Sequence, residues 1–202
     1  MGEQRKRLSR DERRAQLIEI GRHQVEASSF DELSTDAVAD EAGISRGLLF
    51  HYFPTRRDFL VALAEDAAGE LLDLTAPDES LPPLERLRAG LEAYLDYVTT
   101  RSDLYVALVR GAAGGSTGLQ DVFEATRSRL AERILDGLAL GGGEVDDALA
   151  FAARGYVALT EEVVVSWLRT DQRMPREELV DRLVQWALAA LSSAGAPDDL
   201  LT

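Results

Sequence analysis

Cysteine is absent from the 202 residues, and the two histidines, His23 and His51, stand far apart. Without thiols the chain has no disulfide, no thiolate nucleophile and no cysteine-ligated zinc, and two isolated imidazoles do not make a metal site. No metal and no cofactor are expected. Long apolar runs are missing too: none approaches the roughly 20 residues that cross a bilayer. The basic start "MGEQRKRLSRDERR" leads into an amphipathic segment, without the apolar stretch and small-residue cleavage site of a signal peptide. A cytoplasmic protein with no membrane partner is expected. Strict apolar/polar alternation, the mark of a half-buried strand, appears nowhere. What remains is a chain 46% hydrophobic and 29% charged, long enough to bury a real core.

Positive charge is also scarce. Lys and Arg number 22 against 36 Asp and Glu, a net charge of -14. That balance argues against nucleic acid as a partner, because phosphate binding rests on Lys and Arg. The deficit is uneven, however: residues 1 to 60 carry only about -1 of it, leaving about -13 for residues 61 to 202. Arg5, Lys6, Arg7, Arg10, Arg13 and Arg14 outnumber the acids among the first fourteen residues. A locally basic head precedes an acidic body.

Helical periodicity runs through nearly every segment. Helices are expected over residues 11–27, 34–41, 45–53, 55–74, 84–100, 104–112, 119–140, 144–170 and 176–194, an all-α fold of about nine helices. Ser34 and Ser45 are placed to cap their helices, and Gly43 suits the left-handed residue just past a helix end. Pro54 stops the third helix, and Thr55 with Asp58 has capping-box spacing for the fourth. Pro175 fits the first turn of the last helix, which Gly195 and Pro197 end. "TAPDESLPP", "GAAGGSTG" and "LGGG" read as connectors, and the tail "PDDLLT" as loose.

Two short helices joined by a tight glycine turn form a helix-turn-helix, whose second helix enters the DNA major groove. The crossing demands a small residue where the helices meet, here Ala39, a turn former, Gly43, and buried apolar positions, here Val38, Ala42, Ile44 and Leu49. "LSTDAVADEAGISRGLLFHYFPTRRDFL" meets each condition.

The same run resembles the DNA-binding head of the tetracycline-repressor (TetR) family of bacterial regulators. The specific part is Gly43 to Phe53 followed by "PTRR"; with the first helix, the match covers about residues 10 to 60. The resemblance implies a homodimer whose heads read an inverted repeat and whose C-terminal domain binds an effector. Two departures stand out: Ser28-Ser29 replaces the glycine that most members carry after the first helix, and Asp36 sits where many carry a basic residue. An acid there repels phosphate, although it also suits its own helix N-terminus.

A helix lying in the groove presents two faces. Leu49, Phe53 and part of Tyr52 turn inward, while Arg46, Gly47, Leu48, Phe50 and His51 turn towards DNA. Arg46 can fork onto guanine or fall back on a phosphate. Gly47 lets backbone approach, or simply serves as a flexible first-turn residue. Leu48 and Phe50 can touch thymine methyls or pack. His51 and Tyr52 are phosphate candidates, Tyr52 doubling as core, and Arg56 at the next helix N-terminus is the best phosphate ligand. Thr35 and Ser45 complete the expected DNA-binding set.

Enzyme signatures fail. His23 has no evident partner, "GAAGGSTG" lacks the Gly-Lys-Ser/Thr end of a phosphate loop, and the adjacent acids Glu161 and Glu162 point to different helix faces. The last two helices are apolar over more than one stripe, which monomer core or a dimeric four-helix bundle can explain; Leu168, Leu183, Val184, Ala187 and Leu191 are the dimerisation candidates. Tyr94, Tyr97, Tyr105, Arg110, Phe123, Phe151, Tyr156 and Trp167 are candidates for an effector site, and the acidic body favours an apolar or cationic compound. The expected protein is therefore a dimeric regulator, a repressor released by a small molecule. It divides into a helix-turn-helix DNA-binding domain over residues 1–54 and an effector-binding and dimerisation domain over 55–202, connected by the helix at 55–74. The alternative is a helical ligand-binding or interaction module without operator specificity.

Overall fold

The structure, a computed structural model, describes residues 8–27, 33–113, 117–140, 145–170 and 172–196. Nine α-helices and no strand occur among the described residues. They are α1 (Arg10–Ala27), α2 (Thr35–Glu41), α3 (Arg46–Tyr52), α4 (Arg56–Leu74), α5 (Pro83–Thr100), α6 (Ser102–Ala113), α7 (Thr117–Leu140), α8 (Asp147–Arg169) and α9 (Arg176–Ser193). The expected helices are all present, with ends moved by up to three residues.

Local chemistry sets the ends. A capping box opens α1, where the Ser9 amide donates to Glu12 at 2.7 Å and the Glu12 amide donates to Ser9 Oγ at 3.2 Å. The Ser9 amide's bond also holds the Glu12 carboxyl below the usual range, with the Ser9 hydroxyl adding to the effect. Thr55 and Asp58 repeat the device ahead of α4, at 2.9 and 3.1 Å. Asp146 caps α8 by accepting from the Leu149 amide at 2.9 Å. Pro175 stands one residue outside α9, at its N-cap rather than in its first turn. At the other end Gly195 takes φ 93°, and the Ala196 amide donates back to the Leu191 carbonyl at 3.0 Å. The only non-glycine with positive φ among the described residues is Gln172, at 53°, in the turn after α8. Residues 28–29, the "LGGG" connector beyond Leu140 and the tail from Pro197 lie outside the described residues.

The chain divides into two compact units: Met1–Ala67 with Asp103–Val122, and Ala68–Ser102 with Phe123–Thr202. The boundary expected at 54/55 falls at the start of α4, whereas the first unit keeps that helix as far as Ala67. The reason is packing, since Phe59, Leu60 and Leu63 are buried in the head with Leu17, Val25, Val38 and Leu49. Phe59 lies 4.9 Å from Phe53, ring to ring. An ion pair between Arg22, itself buried, and Asp66 at 2.8 Å ties α1 to α4.

In the second unit α9 packs on both α8 and α5. Leu179, Leu183, Val184, Ala187 and Leu191 fill the contact face of α9. Ala131, Leu149, Ala153, Val157, Leu191 and Ala196 form one apolar cluster joining α7, α8 and the end of α9.

Candidate nucleic-acid interface

Helices α2 and α3 meet through a tight glycine turn. Ser34 Oγ accepts from the Ala37 amide at 3.3 Å to start α2, and Gly43 with φ 65° ends it. The Gly43 amide donates to the Asp40 carbonyl and the Ile44 amide to the Ala39 carbonyl, both at 3.0 Å, so the helix closes on its own last carbonyls. Ser45 then caps α3, its hydroxyl accepting from the Leu48 amide at 3.2 Å. Two caps and one left-handed glycine thus fix the angle at which α3 leaves α2. Val38, Ala39, Ala42 and Leu49 are buried between them.

Leu49 and Phe53 are buried; Arg46, Gly47, Leu48 and His51 are exposed; Phe50 and Tyr52 are half-buried. His51 and Tyr52 meet edge to face at 5.9 Å. A Cβ built on Gly47 meets nothing within 4 Å, so the chain's own packing does not require glycine there. Arg56 is exposed just inside the N-terminus of α4, and its Nε donates to the Leu33 carbonyl at 3.4 Å. Thr35 departs from expectation: it is buried, at the first position of α2. Ser45 is exposed but its hydroxyl is already engaged as the cap.

Two side-chain contacts at this surface are absent from the sequence reading. Arg46 faces Asp36 across the turn, its Nη1 donating to Oδ2 at 3.3 Å with Nε 3.1 Å from Oδ1. Arg13 reaches from α1 to the Ala42 carbonyl at 3.4 Å. Both cross between helices, so no periodicity within one helix announces them.

Among the effector candidates, Tyr94 and Tyr97 on α5 and Tyr156 and Trp167 on α8 are buried in the second unit, and Phe123 is half-buried. Tyr105 is buried in the first unit. The Arg110 side chain lies outside the described residues. Phe151 differs from the others: it is 74% exposed on α8 rather than buried. Trp167 Nε1 donates to the Met174 carbonyl at 2.8 Å, bracing the α8–α9 turn. Tyr156 is 4% exposed with no hydrogen-bond partner for its hydroxyl. Burial pushes that phenol up to about 12, with the Thr160 hydroxyl one turn on pulling weakly the other way.

Glu161 is buried beside Arg127, whose Nε donates to it at 2.6 Å; this bond holds the guanidinium more firmly in its charged form. Glu162 is exposed, as its different helix face requires. The pair belongs to a wider α7–α8 network in which Glu124 accepts from both Arg127 and Arg154.

Of the dimerisation candidates, Leu183, Val184, Ala187 and Leu191 are buried within the single chain, where α9 packs on α5 and α8, and Leu168 on α8 is half-buried. The large apolar side chains left exposed on these helices are Phe151 and Leu159 on α8 and Trp186 on α9. No group of residues able to hold a metal ion occurs among the described residues. None of the described helices is long and apolar enough to cross a membrane.

Comparison with known proteins agrees with this architecture. Residues 17–63 match the family described as bacterial regulatory proteins, tetR family, and residues 83–190 match the tetracyclin repressor-like C-terminal domain. A tetR-family transcriptional regulator from Streptomyces coelicolor is 31% identical, with a TM-score of 0.82 over 96% of this chain and 86% of that one. The HTH-type transcriptional activator FasR of Mycolicibacterium smegmatis is 23% identical, covering 92% of this chain and 86% of FasR. FadR from Bacillus subtilis, solved in complex with stearoyl-CoA, shares the fold at 17% identity, with a TM-score of 0.67 over 88% of this chain and 97% of FadR. With a capped helix-turn-helix head, an all-helical body and family matches over both, the chain belongs to the tetracycline-repressor family and is a DNA-binding transcriptional regulator, not an enzyme.

Proposed function

We propose that the protein is a cytoplasmic homodimeric repressor that binds an inverted-repeat operator through α3 and leaves it when a small molecule occupies the second unit. The observation that carries the DNA-reading part is the surface of α3, where Arg46, Gly47, Leu48 and His51 stand exposed on a helix whose start is fixed by Ser45. Arg46 is the base-reading residue, Leu48 offers an apolar contact to thymine methyls, and Arg56 and His51 take phosphates. Reading a repeat needs two such helices about 34–36 Å apart, which one chain does not supply.

A second copy fits the outer face of α8 and α9. Phe151, Leu159 and Trp186 are exposed there, and Gly155 between them leaves room for close helix approach, since a Cβ built on it meets nothing within 4 Å. This replaces the buried α9 positions as the dimer face.

For the effector, Tyr94, Tyr97, Tyr156 and Trp167 supply aromatic surface, and the net charge of about -13 over residues 61 to 202 favours neutral or cationic compounds. A long acyl thioester is the second reading, favoured by the stearoyl-CoA bound to FadR. The two differ in charge, so a release assay separates them: operator bound to the full chain is challenged with stearoyl-CoA and with alkylamines of matched chain length. Release by the amines alone supports the first reading, and release by stearoyl-CoA alone the second. FasR is named an activator; reporter transcription with and without the protein decides the sign of regulation here.

A further inference from the structure

Asp36 carries a negative charge on the surface that meets DNA, in the first turn of α2, and is exposed. On electrostatic grounds it weakens phosphate binding. Its partner is Arg46, at the first position of α3, with the 3.3 Å hydrogen bond and 3.1 Å approach described above. The same guanidinium lies over the Phe50 ring, 5.4 Å from its centroid. An arginine at a helix N-terminus sits at the unfavourable end of the dipole, and Asp36 offsets that charge.

The side chains of the pair are 65% and 58% exposed, so it adds little to folding stability. Its effect falls on the conformation of Arg46. A free arginine gives up rotamer entropy when it is fixed against a base. Here a carboxylate beside Nη1 and Nε and an aromatic ring under one face hold the guanidinium before DNA arrives. Asp36 accepts from Nη1 and lies 3.1 Å from Nε. The second Nη1 hydrogen and Nη2 can then present the two parallel donors that guanine O6 and N7 accept.

We propose that Asp36 is a positioning residue for base recognition: it holds Arg46 in one orientation and so sharpens operator preference at the expense of general DNA affinity. The inference rests on Arg46 reading a base, and the test separates the two statements.

The full-length protein and its Asp36→Ala, Asp36→Asn, Asp36→Glu, Arg46→Ala and double Asp36→Ala/Arg46→Ala variants are each used to select from a pool of randomised duplexes. Affinities are then measured for the selected site, its single-base variants and an arbitrary duplex. The expected result is tighter binding of the arbitrary duplex by Asp36→Ala and Asp36→Asn. With it comes a loss of about fivefold in discrimination at the base pair whose preference Arg46→Ala erases. Asp36→Glu recovers part of that discrimination, and the double variant discriminates no worse than Arg46→Ala alone. Asp36→Asn keeps the side chain's size, so it reports even if the alanine variant folds poorly. If Asp36→Asn tightens every duplex equally and leaves the preference intact, the residue is a plain repulsive charge and the proposal is overturned. If Arg46→Ala itself returns an unchanged motif, the base-reading role fails, and the positioning role fails with it.

Discussion

Gly21 of α1 lies directly against the Phe59 ring of α4: a Cβ built on the glycine would stand 2.6 Å from Phe59 Cζ and 3.1 Å from Leu63 Cδ2. Phe59 is fully buried and packs against Phe53, at the end of α3, with the rings tilted by 59°, so the ring has little room to yield. The glycine therefore sets how closely α1 approaches α4. Gly21→Ala should destabilise the protein by about 1–3 kcal/mol through overpacking, although alanine is the better helix former by about 1 kcal/mol. Gly137→Ala, in α7 with nothing within 4 Å of the added carbon, should instead stabilise by about 0.5–1 kcal/mol. Denaturant unfolding of the pair checks this, and equal shifts in the same direction would refute the close-approach account.

Arg56 and Arg46 should fail in different ways. Arg56→Ala, which removes an exposed cation from the N-terminus of α4, should weaken binding to all duplexes alike and lower the salt slope by about one unit. Arg46→Ala should relax the preferred sequence instead. Affinity titrations at several salt concentrations measure the first, and an Arg56→Ala loss confined to one operator sequence would contradict its assignment to phosphate.

Tyr156 gives the second unit a signature in alkali. Its phenol ionises at about 12 in the folded chain against 10.0 for the free group. Between those values the unfolded state releases its proton first, so stability is unaffected below pH 10 and falls as pH rises from there towards 12. The loss reaches about 2–3 kcal/mol. Tyr156→Phe should remove this slope, and near neutral pH it should match or exceed the wild type by about 1 kcal/mol, because the buried hydroxyl has no partner. Thermal melts across the alkaline range test both statements. A neutral-pH loss above 2 kcal/mol would mean that the hydroxyl is satisfied in solution.

Charges on α8 and α9 should separate assembly from folding. Phe151→Glu and Trp186→Glu change exposed side chains and should yield folded monomers. Val184→Asp places an unpaired charge in a buried position and should unfold the unit. Sedimentation gives the mass and circular dichroism the helix content. Folded dimers from both glutamate variants would rule out the proposed face.

Reciprocal coupling is expected of the release mechanism. Whatever factor an effector takes from operator affinity, operator must take from effector affinity, since both bias the same pair of states. Calorimetry with and without operator measures it, and an effector affinity that operator leaves unchanged would show that the compound does not act by releasing the protein from DNA.

The helices and the head were legible from the chain because their determinants are local. Ser34, Gly43, Ser45, Thr55 and Asp58 act on backbone within a few residues of themselves, so spacing alone announces their caps and turns. The inward and outward faces of α3 follow from a 3.6-residue period in the same way. Tertiary structure decided how shared apolar surface is divided. The sequence shows that α8 and α9 are apolar on more than one side, but not which side meets α5 and α9 within the chain and which is left over. Leu183, Val184 and Ala187 went to the core, and Phe151 and Trp186 stayed outside. It decided likewise that Thr35 is buried and that Gly21 meets Phe59. Each of these depends on the angle at which two helices cross, and that angle comes from the summed packing of many side chains far apart in the chain.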